Sequence, residues 1–152
     1  MSVTARLFGK LPAHGDFVAR GCTSVEQANL DAWLTASLAD ARDRFGGEFV
    51  DRFDAALPWR GYGAGAVGVI AASQDAAGRR YPLLLVCAAT DDIEDLIYAA
   101  IAERWDADRL ATMAGAGPSS SIERWESADR AMSLDGDMPV DIVTAMLETV
   151  GV

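Results

Sequence analysis

Residues 81–88, with the sequence YPLLLVCA, carry no charged side chain. Successive side chains of a strand point to opposite faces of its sheet, so a strand that is apolar throughout is buried on both faces. Residues 66–72 form a second apolar run, and the intervening QDAAG at 74–78 has the composition of a hairpin loop. The two runs therefore predict paired strands at the centre of a sheet that helices cover on both faces.

Helical patterns surround these strands. SVEQ at 24–27 is a capping box, and an apolar stripe with three- and four-residue spacing follows it until Gly46 and Gly47. This stripe consists of Leu30, Trp33, Leu34, Leu38, Ala41 and Phe45. The other helices are predicted, in chain order, over 49–57, 90–105 and 106–114 and from Pro139 onward.

Shorter strands and loops complete the pattern. Residues 3–7 alternate like a strand, and Trp59 marks another strand that the glycine-rich segment 61–65 connects to the central pair. GAGPSSS at 115–121 is the clearest loop. The elements predict one domain over residues 1–152, of the α/β class with α+β character. Its central sheet is expected to be mixed or antiparallel.

Composition limits the classes of function. Of the 152 residues, 51% are hydrophobic, which is ample for a core, and the net charge is −10. An acidic chain is a poor partner for nucleic acid phosphates or anionic lipid. No apolar run reaches the roughly 20 residues of a membrane helix or resembles a secretory leader. We therefore expect a cytoplasmic protein that neither binds nucleic acid nor inserts directly into a membrane.

One loop concentrates the unusual residues. GKLPAHGDF at 9–17 contains two glycines, one proline, the only lysine of the chain and its only histidine. Such a stretch is neither a helix nor a central strand. Because it follows a predicted strand, it predicts a shaped polar loop on a rigid scaffold, which is a common position for functional residues.

The loop allows two chemical interpretations. His14 and Asp16 are a possible acid–base pair for Cys22 or Thr23, or Asp16 pins the turn through backbone amides while His14 lies at the surface. A phosphate loop is excluded because Gly9-Lys10 lacks the earlier glycine and the following hydroxyl. One histidine and two distant cysteines predict no metal site, and we expect no cofactor.

Arginine and aromatic residues recur in two other segments, Trp59-Arg60 and Arg79-Arg80-Tyr81. If their strands are neighbours, these residues could form one binding patch, because Arg, Trp and Tyr are enriched at interface hot spots. The alternative is that Trp59 fills the core and the arginines pair with nearby carboxylates.

Several motifs, in this order, resemble the TagF family of type VI secretion-associated proteins. The opening LFGKLPAHGDFV at 7–18 is similar to the family signature, although Cys22-Thr23 replaces the leucine-proline usual after it. The further matches are LDAWL at 30–34, LPWR at 57–60, GVI at 68–70, GRRYPL at 78–83 and, more loosely, GDMP at 136–139.

The resemblance implies an accessory protein that acts after translation, mainly as a repressor of type VI secretion. The implied partner is a scaffold protein with a forkhead-associated domain, sequestered in the cytoplasm. Two alternatives remain open, a small enzyme of unknown type that uses the His14/Asp16 loop and a homo-oligomeric structural component. A deep pocket beside His14 would favour the enzyme, and an exposed apolar patch would favour association.

The resemblance also suggests site residues, which are the motif positions whose polar side chains could reach a partner. The partner-binding candidates are Lys10, His14, Asp16, Arg60 and Arg79. Gly9, Pro12 and Gly15 are expected to shape the loop, and Trp33 and Trp59 to hold it in place.

Overall fold

The computed structural model describes residues 4–150. The strands are β1 (Arg6–Gly9), β2 (Val18–Arg20), β3 (Trp59–Gly63), β4 (Ala66–Gln74), β5 (Arg80–Cys87), β6 (Arg124–Glu126) and β7 (Ser133–Asp135). The α-helices are α1 (Ser24–Phe45), α2 (Phe49–Ala55), α3 (Ile93–Ala102), α4 (Ala107–Ala114) and α5 (Ile142–Glu148), with a 3-10 turn over Gly46–Glu48.

The seven strands form one sheet in the order β2-β1-β5-β4-β3-β6-β7. Every neighbouring pair is antiparallel. β5 lies between β1 and β4, which confirms the central position predicted from its uninterrupted apolar sequence. The sheet is therefore antiparallel, which is one of the two arrangements that the sequence predicts.

Helices cover both faces of the sheet, as predicted. On one face, β5 contributes Leu84 and Val86 to a core with α1, α2 and α5. On the other face, Leu83, Leu85 and Cys87 pack against α3 and α4. The side chains from Leu83 to Cys87 thus alternate between two cores, because successive residues of a strand face opposite sides.

The cap of α1 lies one residue earlier than predicted. Thr23, not Ser24, accepts a hydrogen bond at its Oγ1 from the Glu26 backbone N–H, at 3.1 Å. Glu26 Oε1 accepts in return from the Thr23 N–H, at 2.8 Å. Both residues carry a hydroxyl, so the sequence alone permits either of them as the N-cap. Thr23 is selected because Glu26 lies three residues after it.

The glycine-rich segment is a strand rather than a link, which corrects the prediction for residues 61–63. A side chain at Gly61 would place Cβ 2.9 Å from the Trp125 ring. Trp125 is 1% exposed, and its indole N–H donates to the Asp137 carbonyl at 3.1 Å. Glycine is therefore required here because an indole ring lies directly on the strand.

The ends of several elements also differ from prediction; α3, for example, covers Ile93–Ala102 rather than the predicted 90–105. β1 runs from Arg6 to Gly9, later than the predicted 3–7, of which Val3 lies outside the described residues. α2 ends at Ala55, two residues before the predicted end, and α5 begins at Ile142, after a turn that starts at Pro139. Trp33 donates its indole N–H to the Pro139 carbonyl at 2.7 Å and so holds this turn against α1. Within residues 4–150, the helices are too short or too polar to cross a membrane.

Candidate functional site

The loop over residues 10–17 lies between β1 and β2, beside the turn over residues 75–79 that joins β4 to β5. Gly9, the last residue of β1 before the loop, has φ +134° and leaves no room for a side chain against β5. An added Cβ would lie 2.1 Å from the Pro82 carbonyl oxygen. Gly9 therefore shapes the entry of the loop by allowing a close approach of two backbones.

A buried ionic network supports the loop, and we call it the Asp75 network. Asp75 is 1% exposed, and its Oδ2 lies 3.1 Å from Lys10 Nζ and 2.7 Å from Arg79 Nε. Its Oδ1 accepts from the backbone N–H groups of Ala77 and Arg79, at 2.9 and 3.0 Å. Both carboxylate oxygens are therefore saturated by donors from two segments.

The electrostatics of this network favour an ionised carboxylate. Burial alone would raise the pKa of the Asp75 carboxyl, but the hydrogen bonds from Arg79, Lys10 and Ala77 outweigh burial and hold that pKa well below its usual range. A carboxylate stays charged in the interior only with such compensation. Asp75 is thus a fixed negative centre that organises the loop.

Lys10 belongs to this interior rather than to the outer surface. Lys10 is 8% exposed, and its Nζ lies 4.8 Å from the Phe17 ring centroid and 5.9 Å from that of Tyr81. The Phe17 and Tyr81 rings pack edge to face, with centroids 4.8 Å apart. Lys10 is therefore placed where it stabilises the loop, whereas the more exposed Phe17 is the residue that a partner could contact.

Tyr81 ties the same cluster to α1. Its hydroxyl shares a hydrogen bond with the Thr35 hydroxyl at 3.1 Å, and burial raises the pKa of the phenol to about 12. Tyr81 therefore remains a neutral hydrogen-bonding group at all physiological pH values.

His14 connects the loop to two other elements. Its carbonyl accepts from the Ala76 N–H at 2.7 Å, and its Nε2 accepts from the Ala107 N–H at 3.0 Å. Ala107 begins α4, so the imidazole satisfies a free N–H at a helix start. The side chain is half-buried, which corrects the expectation of a plain surface residue.

The expected nucleophiles are engaged elsewhere. Cys22 Sγ lies 3.3 Å from the Arg20 carbonyl and 3.8 Å from that of Leu7, and burial raises the pKa of its thiol. Thr23 uses its hydroxyl to cap α1. Asp16 accepts the N–H of Phe17 at 2.7 Å, as the turn-pinning interpretation predicts. The contacts described for these side chains therefore do not assemble a nucleophile with a base and an orienting group.

Three exposed side chains lie on the outer side of the loop and of the neighbouring turn, and we call them the loop surface. They are Asp16, Phe17, which is 44% exposed, and Arg79. Arg79 also donates from Nη2 to the Gly15 carbonyl at 2.7 Å, and Arg104 donates to that of Pro12 at 2.7 Å. The loop is thus held by arginine side chains from two other segments, the turn over residues 75–79 and the segment before α4.

A groove borders the loop surface on the side of α1. Its volume is about 380 Å³, and one wall is formed by the rings of Phe8 and Phe17. Those rings stack with centroids 6.0 Å apart. The polar wall comes from α1, and its residues are Ser24, Gln27 and Asp31, with Ala28 between them. A groove with one apolar wall and one polar wall suits an inserted side chain of a protein partner.

Arg60 lies apart from the loop. β4 separates β3 from β5, so Trp59-Arg60 and the 79–81 segment are not on neighbouring strands and the single patch does not form. Trp59 is fully buried, and Arg60 donates to Glu94 Oε1 at 2.9 Å and to the Thr90 carbonyl at 3.2 Å. Trp59 thus fills the core and Arg60 pairs with a carboxylate, as the structural alternative predicts.

Comparison with known families decides the relationship. Residues 6–131 match a family model described as the TagF N-terminal domain, type VI secretion system-associated. The chain belongs to this family. The match contains the whole loop, its supporting turn and six of the described strands, whereas β7 and α5 of this TagF-family chain lie beyond it.

The fold recurs in a solved bacterial structure. The crystal structure of PA0076 from Pseudomonas aeruginosa PAO1 superposes with a TM-score of 0.63 and 22% sequence identity. The alignment covers 95% of this chain and 76% of that one. At this identity the similarity concerns the fold. Comparison with curated proteins gives no significant match.

Two residues of the site were missed from the sequence. The sequence indicates only that Asp75 lies in a polar hairpin loop, although an aspartate that starts a tight turn commonly binds the backbone ahead of it. Phe17 lies in the opening motif, but a choice of binding candidates by polar side chain omits it, although an aromatic side chain at the end of a polar loop is a common anchor at interfaces. The buried partner of Lys10 had no sequence signal, because the two residues are 65 positions apart.

Proposed function

We propose that this TagF-family chain is an accessory, post-translational regulator of a bacterial type VI secretion system. It acts as a repressor, in the cytoplasm, by binding and sequestering a scaffold protein that carries a forkhead-associated domain. It works by occupancy rather than by catalysis. The observation that carries this proposal is the family match over residues 6–131, which includes the entire loop.

Sequestration requires only that the bound scaffold be unavailable for assembly, so the degree of repression follows the free concentration and the Kd of the complex. A binding surface of this kind gains affinity when it is ordered before the partner arrives. The loop surface meets this requirement, because the Asp75 network and the contact between His14 and Ala107 hold the loop from beneath.

The loop surface combines an apolar anchor with charge of both signs. Phe17 is the anchor, with Asp16 beside it and Arg79 on the neighbouring turn. Aromatic and arginine side chains contribute most of the energy at many interfaces. We therefore place the scaffold contact at Phe17 and Asp16, with the adjoining groove as the receptor for a partner side chain.

The test is a pull-down of the purified scaffold protein of the same host by immobilised chain, with the retained amount measured for variants. Asp16→Lys and Phe17→Ala change exposed side chains, so the fold is expected to persist, which circular dichroism checks. The matched control is Asp43→Lys, an equal charge change on the exposed side of α1.

We expect both loop variants to weaken retention by about tenfold or more, as for hot-spot residues, and the control to bind normally. Unchanged retention by both loop variants would place the contact elsewhere and leave the partner correct. A wild-type chain that retains no scaffold would refute the proposed function itself.

A further inference from the structure

A second polar site lies on β3 and β6, away from the loop. The antiparallel register puts Arg60 opposite Glu126 and Tyr62 opposite Arg124, so these four side chains share one face of the sheet. Arg130, from the segment between β6 and β7, completes an open cleft of about 440 Å³. We call this the arginine cleft. Its full lining is Arg60, Tyr62, Asp91, Arg124, Glu126 and Arg130.

The aromatic ring of Tyr62 contacts two guanidinium groups. The Cζ atoms of Arg60 and Arg124 lie 5.6 and 5.3 Å from the centroid of the Tyr62 ring. Each guanidinium interacts favourably with the ring, which holds both cations at the cleft. Thus three of the thirteen cationic side chains of an acidic protein converge on one cleft.

The arginines have more donors than the surrounding protein can satisfy. Each guanidinium carries five N–H groups. Arg60 donates to Glu94 and to the Thr90 carbonyl, but its Nε is buried without a hydrogen-bond partner among the described residues. Arg124 has a single ion pair of 3.5 Å with Glu126.

Arg130 is the least engaged of the three arginines. It is exposed, and its backbone adopts φ +62°, which is unusual for a residue other than glycine. Its backbone N–H donates to the Ser127 carbonyl, whereas its guanidinium has no polar partner within residues 4–150. The turn thus directs an unpaired cation to the edge of the cleft.

We propose that the arginine cleft binds a phosphoryl group, carried on a phosphorylated protein side chain or free as inorganic phosphate. A phosphoryl group supplies several acceptor oxygens and a charge of about −1.5 to −2 near neutral pH, which matches converging guanidinium groups that lack acceptors. A carboxylate ligand carries less charge and fewer acceptor oxygens, so it matches the three guanidinium groups less well than a phosphoryl group does. The site goes beyond the proposed function and does not depend on the loop surface.

The chemistry is common to a phosphorylated protein side chain and to free phosphate, and the experiment separates them. The full chain, labelled with nitrogen-15, is titrated with inorganic phosphate and with a short phosphoserine peptide while the Nε–Hε signals of arginine are followed by NMR. The unphosphorylated peptide and an aspartate peptide of the same length are titrated in parallel. Both phosphate compounds are expected to shift the signals of Arg60, Arg124 and Arg130.

Variants test whether the response belongs to the cleft. Arg130→Gln removes the charge and keeps a polar side chain, and it is expected to weaken phosphate binding by about tenfold. Arg44→Gln is the matched control, because Arg44 is an exposed arginine of α1 whose ion pair with Glu148 is 3.7 Å long. Arg44→Gln is expected to bind like the wild type.

Each outcome has a defined meaning. Tighter binding of the phosphopeptide than of inorganic phosphate supports a site for a modified protein, whereas equal binding supports a site for free phosphate. The proposal is overturned if neither compound, at several millimolar, shifts an arginine signal of the cleft. It is also overturned if the aspartate peptide binds as tightly, or if Arg44→Gln weakens binding as much as Arg130→Gln.

Discussion

Two regions of the molecule use cationic side chains in opposite ways. In the Asp75 network, Lys10 and Arg79 share one buried carboxylate whose oxygens are saturated. In the arginine cleft, three guanidinium groups have few acceptors, and one buried Nε has no hydrogen-bond partner among residues 4–150. Matched charges in the interior fix a conformation, whereas unmatched donors in an open cleft remain available for a ligand. The same residue type is therefore structural in one region and a candidate binding group in the other.

The largest expected effect is on stability in the first region. Lys10→Met is expected to lower the free energy of unfolding by about 3 kcal/mol, because it removes one partner from a buried ion pair. For a chain of this size, that corresponds to a fall in Tm of roughly 6–12 °C. Differential scanning calorimetry measures it.

The matched variant in the second region is Arg130→Met, whose guanidinium has no partner to lose within the described chain. Its free energy of unfolding is expected to change by no more than about 0.5 kcal/mol. Equal destabilisation by the two variants would contradict the contrast between the regions.

A smaller effect is expected at the backbone beneath the arginine cleft. Gly61→Ala brings Cβ to 2.9 Å from the Trp125 ring and 3.0 Å from Ile122. Such overpacking is expected to cost about 1–3 kcal/mol, measured by urea denaturation. It should also weaken phosphate binding, because Arg60 and Tyr62 flank Gly61 on the strand.

Gly47→Ala is the control for this variant, since an added Cβ meets no atom within 4 Å there. It is expected to leave stability unchanged or to raise it by up to about 1 kcal/mol. A Gly61→Ala protein as stable as the wild type would show that the Trp125 ring can move away at little cost.

The smallest effect on stability is expected when the pH is lowered, and it should involve only the Asp75 network. The folded pKa of Asp75 is lowered, so its stabilising contribution is fully present above the unfolded pKa of about 3.9. That contribution is lost as the pH falls below this value towards the folded pKa, because only the unfolded chain then takes up the proton. Tm measured between neutral pH and pH 3 should decline more steeply for the wild type than for Asp75→Asn.

Arginine does not titrate in this range, so Arg130→Gln should retain the acid profile of the wild type. A profile of Asp75→Asn parallel to that of the wild type would show that other carboxylates account for the acid sensitivity.

Much of the fold was predictable from local pattern. The apolar strand at 81–88 placed β5 at the centre, and the stripe from Leu30 to Phe45 located α1 almost to the residue. Periodicity suffices for such elements because burial on one or two faces leaves a direct trace in the sequence. It failed at residues 61–63, where the need for glycine comes from Trp125, a residue more than 60 positions away.

The sequence by itself determined the α+β class, the two-sided core, the family and the position of the shaped loop. Only the tertiary structure decided what each polar side chain does. It buried Lys10 against Asp75, turned His14 towards α4, and separated Arg60 from Arg79 by placing β4 between their strands. Local sequence records which face of an element is apolar. The partner of a charge depends instead on strand order and on contacts between distant segments, which leave no periodic signal.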